Sequence, residues 1–299
     1  MPDRESPPVT DAAAAPVRPQ AALAGALMMV AAVVCFTSLD SILKLLVARH
    51  DVLFLAWGRN LFQVAYMAAL MPVLGGRRMV TTRHPGMQLG RGALLVSTTV
   101  LIVLSLKVLP LAQTYAITFS TPFLAVLMAR LFLGETVSLR RLAWIAAGFV
   151  GVLIALRPGA PDAGWHLLLP VGMAFANALY HVLTRAIAAD EDPFAMVFLV
   201  AAVATVLTAL ALPWTWSAMA PWEWGLLALG AAFGTAAHML LVAAFRIAPT
   251  SVVSPMVYTQ IVSALILGYL MFGEVPTVTT LLGAGLVTLC GIGLIRTGQ

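Results

Sequence analysis

Charge is what this chain has least of. Only 10% of its 299 residues are charged and 61% are hydrophobic, with a mean hydropathy of +0.98. No globular core of this length can bury so much apolar surface, so the composition excludes a water-soluble domain. Cysteine is almost absent as well: Cys35 and Cys290 fall inside apolar runs at opposite ends of the chain and say nothing firm about a disulfide or a metal. No G-x-x-x-x-G-K-[ST] loop occurs, which counts against ATP hydrolysis within this chain. Neither G-x-S-x-G nor H-E-x-x-H is present, so the common hydrolase signatures are missing and neither an enzyme nor a cofactor is expected.

What the chain does have is long apolar runs, separated by Pro, Gly and clusters of charge. A helix needs about 20 apolar residues to cross the hydrocarbon of a bilayer. The runs give ten spans, near 21–47, 52–74, 89–107, 111–133, 139–157, 165–187, 193–213, 222–245, 250–272 and 277–296. Residues 1–20 are rich in Pro and Ala with no apolar periodicity, and read as a disordered cytoplasmic tail. They do not read as a cleavable signal, because the apolar run that follows is too long and carries Asp40 and Lys44.

Arginine sets the expected orientation. With the N-terminus inside, the inner segments hold eleven cations: Arg4, Arg18, Arg77, Arg78, Arg83, Arg91, Arg140, Arg141, Arg185, Arg246 and Arg296. The outer segments hold three: Arg49, Lys107 and Arg157. Cytoplasmic loops retain Lys and Arg, so both termini are expected in the cytoplasm and the chain in the inner (plasma) membrane. The net charge of +5 and pI near 9.7 then reflect topology, and no nucleic-acid partner is expected.

The chain also contains itself twice. Residues 107–159 align without a gap on residues 246–298, 139 positions later. Pro110 meets Pro249, Gly134-Glu135 meets Gly273-Glu274, Leu142 meets Leu281, Arg157 meets Arg296 and Gly159 meets Gly298. Each half, 21–159 and 160–299, holds five spans. Five is odd, so the second half enters the membrane from the opposite side and the repeat is inverted.

Two such halves, each with a Pro-led penultimate span ending in Gly-Glu before a Gly-rich final span, resemble the EamA-type branch of the drug/metabolite transporter superfamily. The resemblance covers about residues 21–297. It implies an all-α integral membrane protein of ten transmembrane helices, arranged as two inverted five-helix repeats around a central cavity. It also implies a secondary transporter that exports amino acids, aromatic ones included, other small metabolites or drugs. Such a protein needs a small-molecule substrate and the lipid bilayer as partners and is expected to be monomeric. An intramembrane enzyme or a sensor or scaffold is the alternative, yet neither predicts an inverted duplication with a polar stripe in each half.

Those stripes are where chemistry is possible. Thr37, Asp40, Ser41 and Lys44 recur at i, i+3, i+4, i+7 on one face of the first span. Asn177, Tyr180, His181 and Thr184 repeat the pattern 140 positions later in the sixth. A polar stripe in lipid must face the bundle interior or a water-filled path. Arg59 enters the second span at the depth of Asp40. Asp40 and Lys44 can simply cancel each other as an i, i+4 pair, or they can serve substrate binding, gating or coupling. His181 and His238, single histidines in their spans, lack metal-ligand spacing.

The fourth and ninth spans are unusually polar around Pro122 and Pro255, where Ser and Thr hydroxyls can satisfy carbonyls that proline frees. From them Tyr115, Thr118, Tyr258 and Gln260 are candidate cavity residues. Gly134, Glu135, Gly273 and Glu274 read as architectural. Each Gly ends a helix, each Glu favours the positive end of the next, and Ser138 and Thr277 are placed to cap it.

Overall fold

A computed structural model describes residues 19–74, 76–133, 137–156, 164–187, 190–248, 252–253 and 256–296. No strand occurs among the described residues. The helices are α1 (Pro19–Leu46), α2 (Val52–Leu74), α3 (Pro85–Val108), α4 (Leu111–Thr118), α5 (Thr121–Leu133), α6 (Leu139–Leu156), α7 (Leu168–Ile187), α8 (Pro193–Ala209), the short α9 (Leu212–Thr215), α10 (Pro221–Ile247), α11 (Gln260–Phe272) and α12 (Val278–Arg296). With α4 and α5 as two pieces of one pass, they make ten passes. Six are long and apolar enough to cross a membrane, and those containing α8, α11 and α12 are shorter but equally apolar. The remaining pass, α2, has 23 residues and carries Arg59. Residues 1–18 of the tail and the Gly134-Glu135 motif lie outside the described residues, while Pro19 and Gln20, expected in the tail, begin α1.

The helix boundaries follow from local chemistry. Pro at the first helical position needs no hydrogen bond there, and Pro85, Pro193 and Pro221 start α3, α8 and α10. Asp192 caps α8 by accepting from the Phe194 and Ala195 N–H groups at 2.8 and 3.1 Å. Gly273 ends α11 with φ +66°, a conformation that favours glycine, and the Thr277 hydroxyl accepts from the Thr280 N–H at 3.2 Å. Between α4 and α5, Pro122 frees the Thr118 carbonyl, and the Thr121 hydroxyl donates to it at 2.7 Å.

Packing follows the duplication. α1 packs along α10 and α3 along α7, which are the same contact with the halves exchanged. α6 lies against α12, and α2 against α8, each pair being repeat mates. Phe119 and Tyr258, 139 positions apart, meet edge-on at 5.3 Å. At one end of the bundle His50 Nε2 sits 3.2 Å from Glu223, and at the other His84 Nε2 sits 3.4 Å from Asp190. Asp190 is the counterpart of His50 and Glu223 of His84, so acid and base trade places between the ends.

Backbone contact holds α6 on α12. A Cβ added at Gly151 or Gly283 would lie 3.1 or 2.6 Å from the other's carbonyl oxygen, the small-residue approach that replaces hydrophobic burial inside lipid. Large apolar side chains such as Val73, Leu131 and Leu139 point outward, where lipid rather than water covers them. Trp165, Trp214, Trp216 and Trp222 are exposed at the end that carries Lys44, as expected of an interfacial belt.

Candidate functional site

At the Lys44 end the α1 stripe is closed residue by residue. Thr37 and Ser263 of α11 share a hydrogen bond of 2.9 Å. One turn on, the Tyr115 hydroxyl donates to Asp40 at 2.5 Å, with Thr37 and Gln260 also within its reach. One turn further, Lys44 Nζ lies 2.5 Å from Glu274 Oε1 and donates to the Leu109 carbonyl at 2.7 Å. The second Glu274 oxygen accepts from the Leu111 N–H at 2.8 Å, so one carboxylate ties α1, the start of α4 and the end of α11. Ser41 is fully buried and bonds back to the Thr37 carbonyl.

Three expectations change here. Asp40 and Lys44 do not cancel each other, because Lys44 reaches Glu274 and Asp40 takes Tyr115. Glu274 is therefore a cross-helix latch, beyond any influence on the next helix. Thr118 and Tyr258, expected at a cavity, are both buried, Thr118 donating to the Tyr115 carbonyl at 3.3 Å. The Tyr258 hydroxyl fills the notch left by Gly291, where any added Cβ would collide with it.

Arg59 lies deeper on α2, only 6% exposed, donating to the Thr99 hydroxyl at 3.0 Å. Its charge acts on both Asp40 and His238, and His238 packs edge-on against Phe36 at 5.0 Å. The Arg59 Nε, both polar atoms of Asn60 and the Gln63 carbonyl are buried without partners. Among the described residues nothing satisfies these atoms, and an unsatisfied buried polar group costs about 1–3 kcal/mol.

The other half differs. On α7 the stripe Asn177, Tyr180, His181 and Thr184 lies opposite the face that presents Phe175 and Leu168, 56% and 68% exposed, to lipid. It therefore faces the interior, yet His181 is exposed and Asn177 and Tyr180 are half-exposed. An exposed histidine on the face turned away from lipid marks accessible space inside the bundle, at the end where α7 finishes and α3 begins.

Arg91 borders that space. The charge count places it with the inner segments, although the span 89–107 already contains it; it lies on α3, only 2% exposed. Its guanidinium donates to the Thr184 hydroxyl at 2.9 Å, the Gln88 carbonyl oxygen at 2.5 Å and the Tyr180 hydroxyl at 3.1 Å, and it lies 5.1 Å over the Tyr180 ring. No carboxylate among the described residues pairs with Arg91, and no group of His, Cys, Asp and Glu among them could hold a metal ion.

The EamA-like transporter family model matches this chain twice, over residues 23–157 and 164–297. A riboflavin transporter of Rhizobium johnstonii is 29% identical over 94% of this chain and 93% of its own length. An S-adenosylmethionine uptake transporter of Rickettsia bellii is 28% identical over 76% of this chain and 80% of its own. A solved crystal structure superposes with a TM-score of 0.65 at 17% identity, covering 92% of this chain and 98% of the other, a likeness of fold.

Proposed function

Since the chain belongs to the EamA-like transporter family, we propose that it carries a small conjugated heterocyclic metabolite across the inner membrane by alternating access. The observation that carries this reading is the contrast between the two ends. All three contacts of the α1 stripe to α4 and α11 are made, while His181 opens on the interior at the far end. One end shut and the other open is one of the two states that alternating access requires.

The solute class rests on the relatives. Riboflavin and S-adenosylmethionine are both flat heterocycles carrying a polar chain, and Tyr180, His181, His238 and Gln260 offer rings and hydrogen bonds to such a molecule. Export of amino acids, the reading from sequence, draws no support from these relatives, one of which is named for uptake. The repeats are taken as 21–159 and 160–299, inverted, in a monomer with both termini in the cytoplasm. The Arg91 end is then cytoplasmic and the Lys44 end outside.

Proteoliposome counterflow tests the function. Labelled riboflavin or S-adenosylmethionine should exchange faster than in protein-free vesicles and faster than labelled phenylalanine. Equal rates in both comparisons would dismiss the proposal. In a background lacking Cys35 and Cys290, single cysteines at Thr81 and Ala218 test the orientation. Only Ala218→Cys should react with an impermeant thiol reagent added to intact cells.

A further inference from the structure

Among the described residues, Arg91 is a buried cation whose hydrogen-bond partners are all neutral groups. A guanidinium offers five N–H donors. The three bonds to Thr184, Gln88 and Tyr180 occupy three of them, leaving two. Gln88 is 2% exposed, and its amide nitrogen, with two more hydrogens, is buried with no acceptor. Among the described residues the cluster is rich in donors and short of acceptors and of negative charge, while His181 opens beside it to the interior space. Snorkelling to the interface does not describe Arg91, since its side chain is enclosed. The repeat counterpart of Arg91 is Gly230, which packs against Ile42 and Leu39, so the duplication alone does not account for the charge.

We infer that Gln88, Arg91, Tyr180 and Thr184 form an anion-binding subsite, entered past His181, that takes a carboxylate or phosphate carried by the transported solute. This rests on the transport reading above and deepens it. Arginine suits the task because its planar fork matches both anions with paired, charge-assisted hydrogen bonds. The Tyr180 ring under the guanidinium holds the fork in place.

The test uses the full chain in nanodiscs of zwitterionic phosphatidylcholine, titrated with riboflavin and with flavin mononucleotide, which share one ring system and differ by a phosphate. The phosphorylated flavin should bind about tenfold tighter or better, as expected for charge-assisted bonds in a dry site. Arg91→Gln should erase that preference. Equal binding of the two flavins to the unaltered protein, or a preference that survives Arg91→Gln, overturns the proposal. If Arg91→Gln does not fold, His181→Glu sets a carboxylate at the mouth of the cluster. It should likewise abolish the preference, and an intact preference overturns the idea.

If neither flavin binds, the heterocycle class fails on its own, and inorganic phosphate reads the subsite separately. A rise in melting temperature with phosphate, lost in Arg91→Gln, sustains the anion site, and no rise overturns it. If stabilisation appears only when phosphatidylglycerol is added to the disc and soluble anions contribute nothing, the cation serves the bilayer and the proposal falls.

Discussion

The two ends of the bundle are built from one repeated plan, and they differ in how each cation is answered. At the Lys44 end the ammonium meets the Glu274 carboxylate, and the same carboxylate takes the first N–H of α4. At the Arg91 end the guanidinium meets a hydroxyl, a phenol and an amide. Thr184 stands where the duplication would place a second Lys44. The difference teaches that inverted symmetry supplies the scaffold, while single substitutions on it decide how a cation is answered among the described residues of each end.

Removing the latch is expected to have the largest effect. Glu274→Gln leaves Lys44 without its counter-charge, and breaking a buried pair from one side costs about 3 kcal/mol or more. The pair keeps 13% and 17% of its side chains exposed, so the lower figure applies. The melting temperature should fall. A cysteine replacing Ser263 should also react with a small thiol reagent added from the Lys44 side at least about tenfold faster. The double variant Lys44→Gln/Glu274→Gln should recover most of the stability but not the closure. Unchanged reactivity in both variants would show that the Lys44 end is shut by packing alone.

Second in size is the bond one turn deeper. Tyr115→Phe removes the only hydroxyl that donates to Asp40 among the described residues, and a hydrogen bond to a charged group contributes about 1.5–3 kcal/mol. Stability should drop by roughly that amount in a denaturation or melting series, with counterflow slowed. A smaller loss would mean that Arg59 alone settles the charge of Asp40.

Acid should act on the opposite end. Glu191, outside the spans, is partly raised by burial, but hydrogen bonds from the Thr82 hydroxyl and the Arg83 and His84 N–H groups outweigh this. They hold its carboxyl below the ordinary value of 4.5. His84, facing it from the start of α3, adds to the same effect. A depressed folded value means that the stabilisation is present above the unfolded pKa and is lost as pH falls through the folded one. Melting scans from pH 6 downward should therefore show a modest decline, setting in below about pH 4.5, that Glu191→Gln flattens. Equal slopes would disconnect this loop staple from the stability of the Arg91 end.

These contrasts mark how far the sequence could be read. Apolar run length, Pro and Gly gave ten spans, and all but the ninth, whose first part lies partly outside the described residues, agree with the helices to within a few residues, because membrane insertion depends on local composition. The stripes on α1 and α7 were legible too, since 3.6-residue periodicity puts their members on one face. Partner choice was not. Lys44 and Glu274 are far apart in the chain, and nothing local distinguishes that pairing from Asp40 four residues away. Arg91 was counted with the inner charges although it falls within the third span, and nothing local showed that its side chain would be enclosed.

The smallest expected effect concerns Tyr258, which sequence polarity put beside Tyr115. Its hydroxyl is buried without a partner against the backbone of Gly291, and its ring packs on Phe119. Phenylalanine keeps the ring contact and removes an unsatisfied polar atom, so Tyr258→Phe should leave stability unchanged or raise it by up to about 1 kcal/mol. Counterflow should stay at the unaltered rate, in contrast with Tyr115→Phe. The comparison is sharp because the two substitutions remove the same atom from neighbouring passes, one from a bond to a charge and one from a tight fit. A transport loss in Tyr258→Phe as large as in Tyr115→Phe would move the solute path toward α12 and away from the α1 stripe.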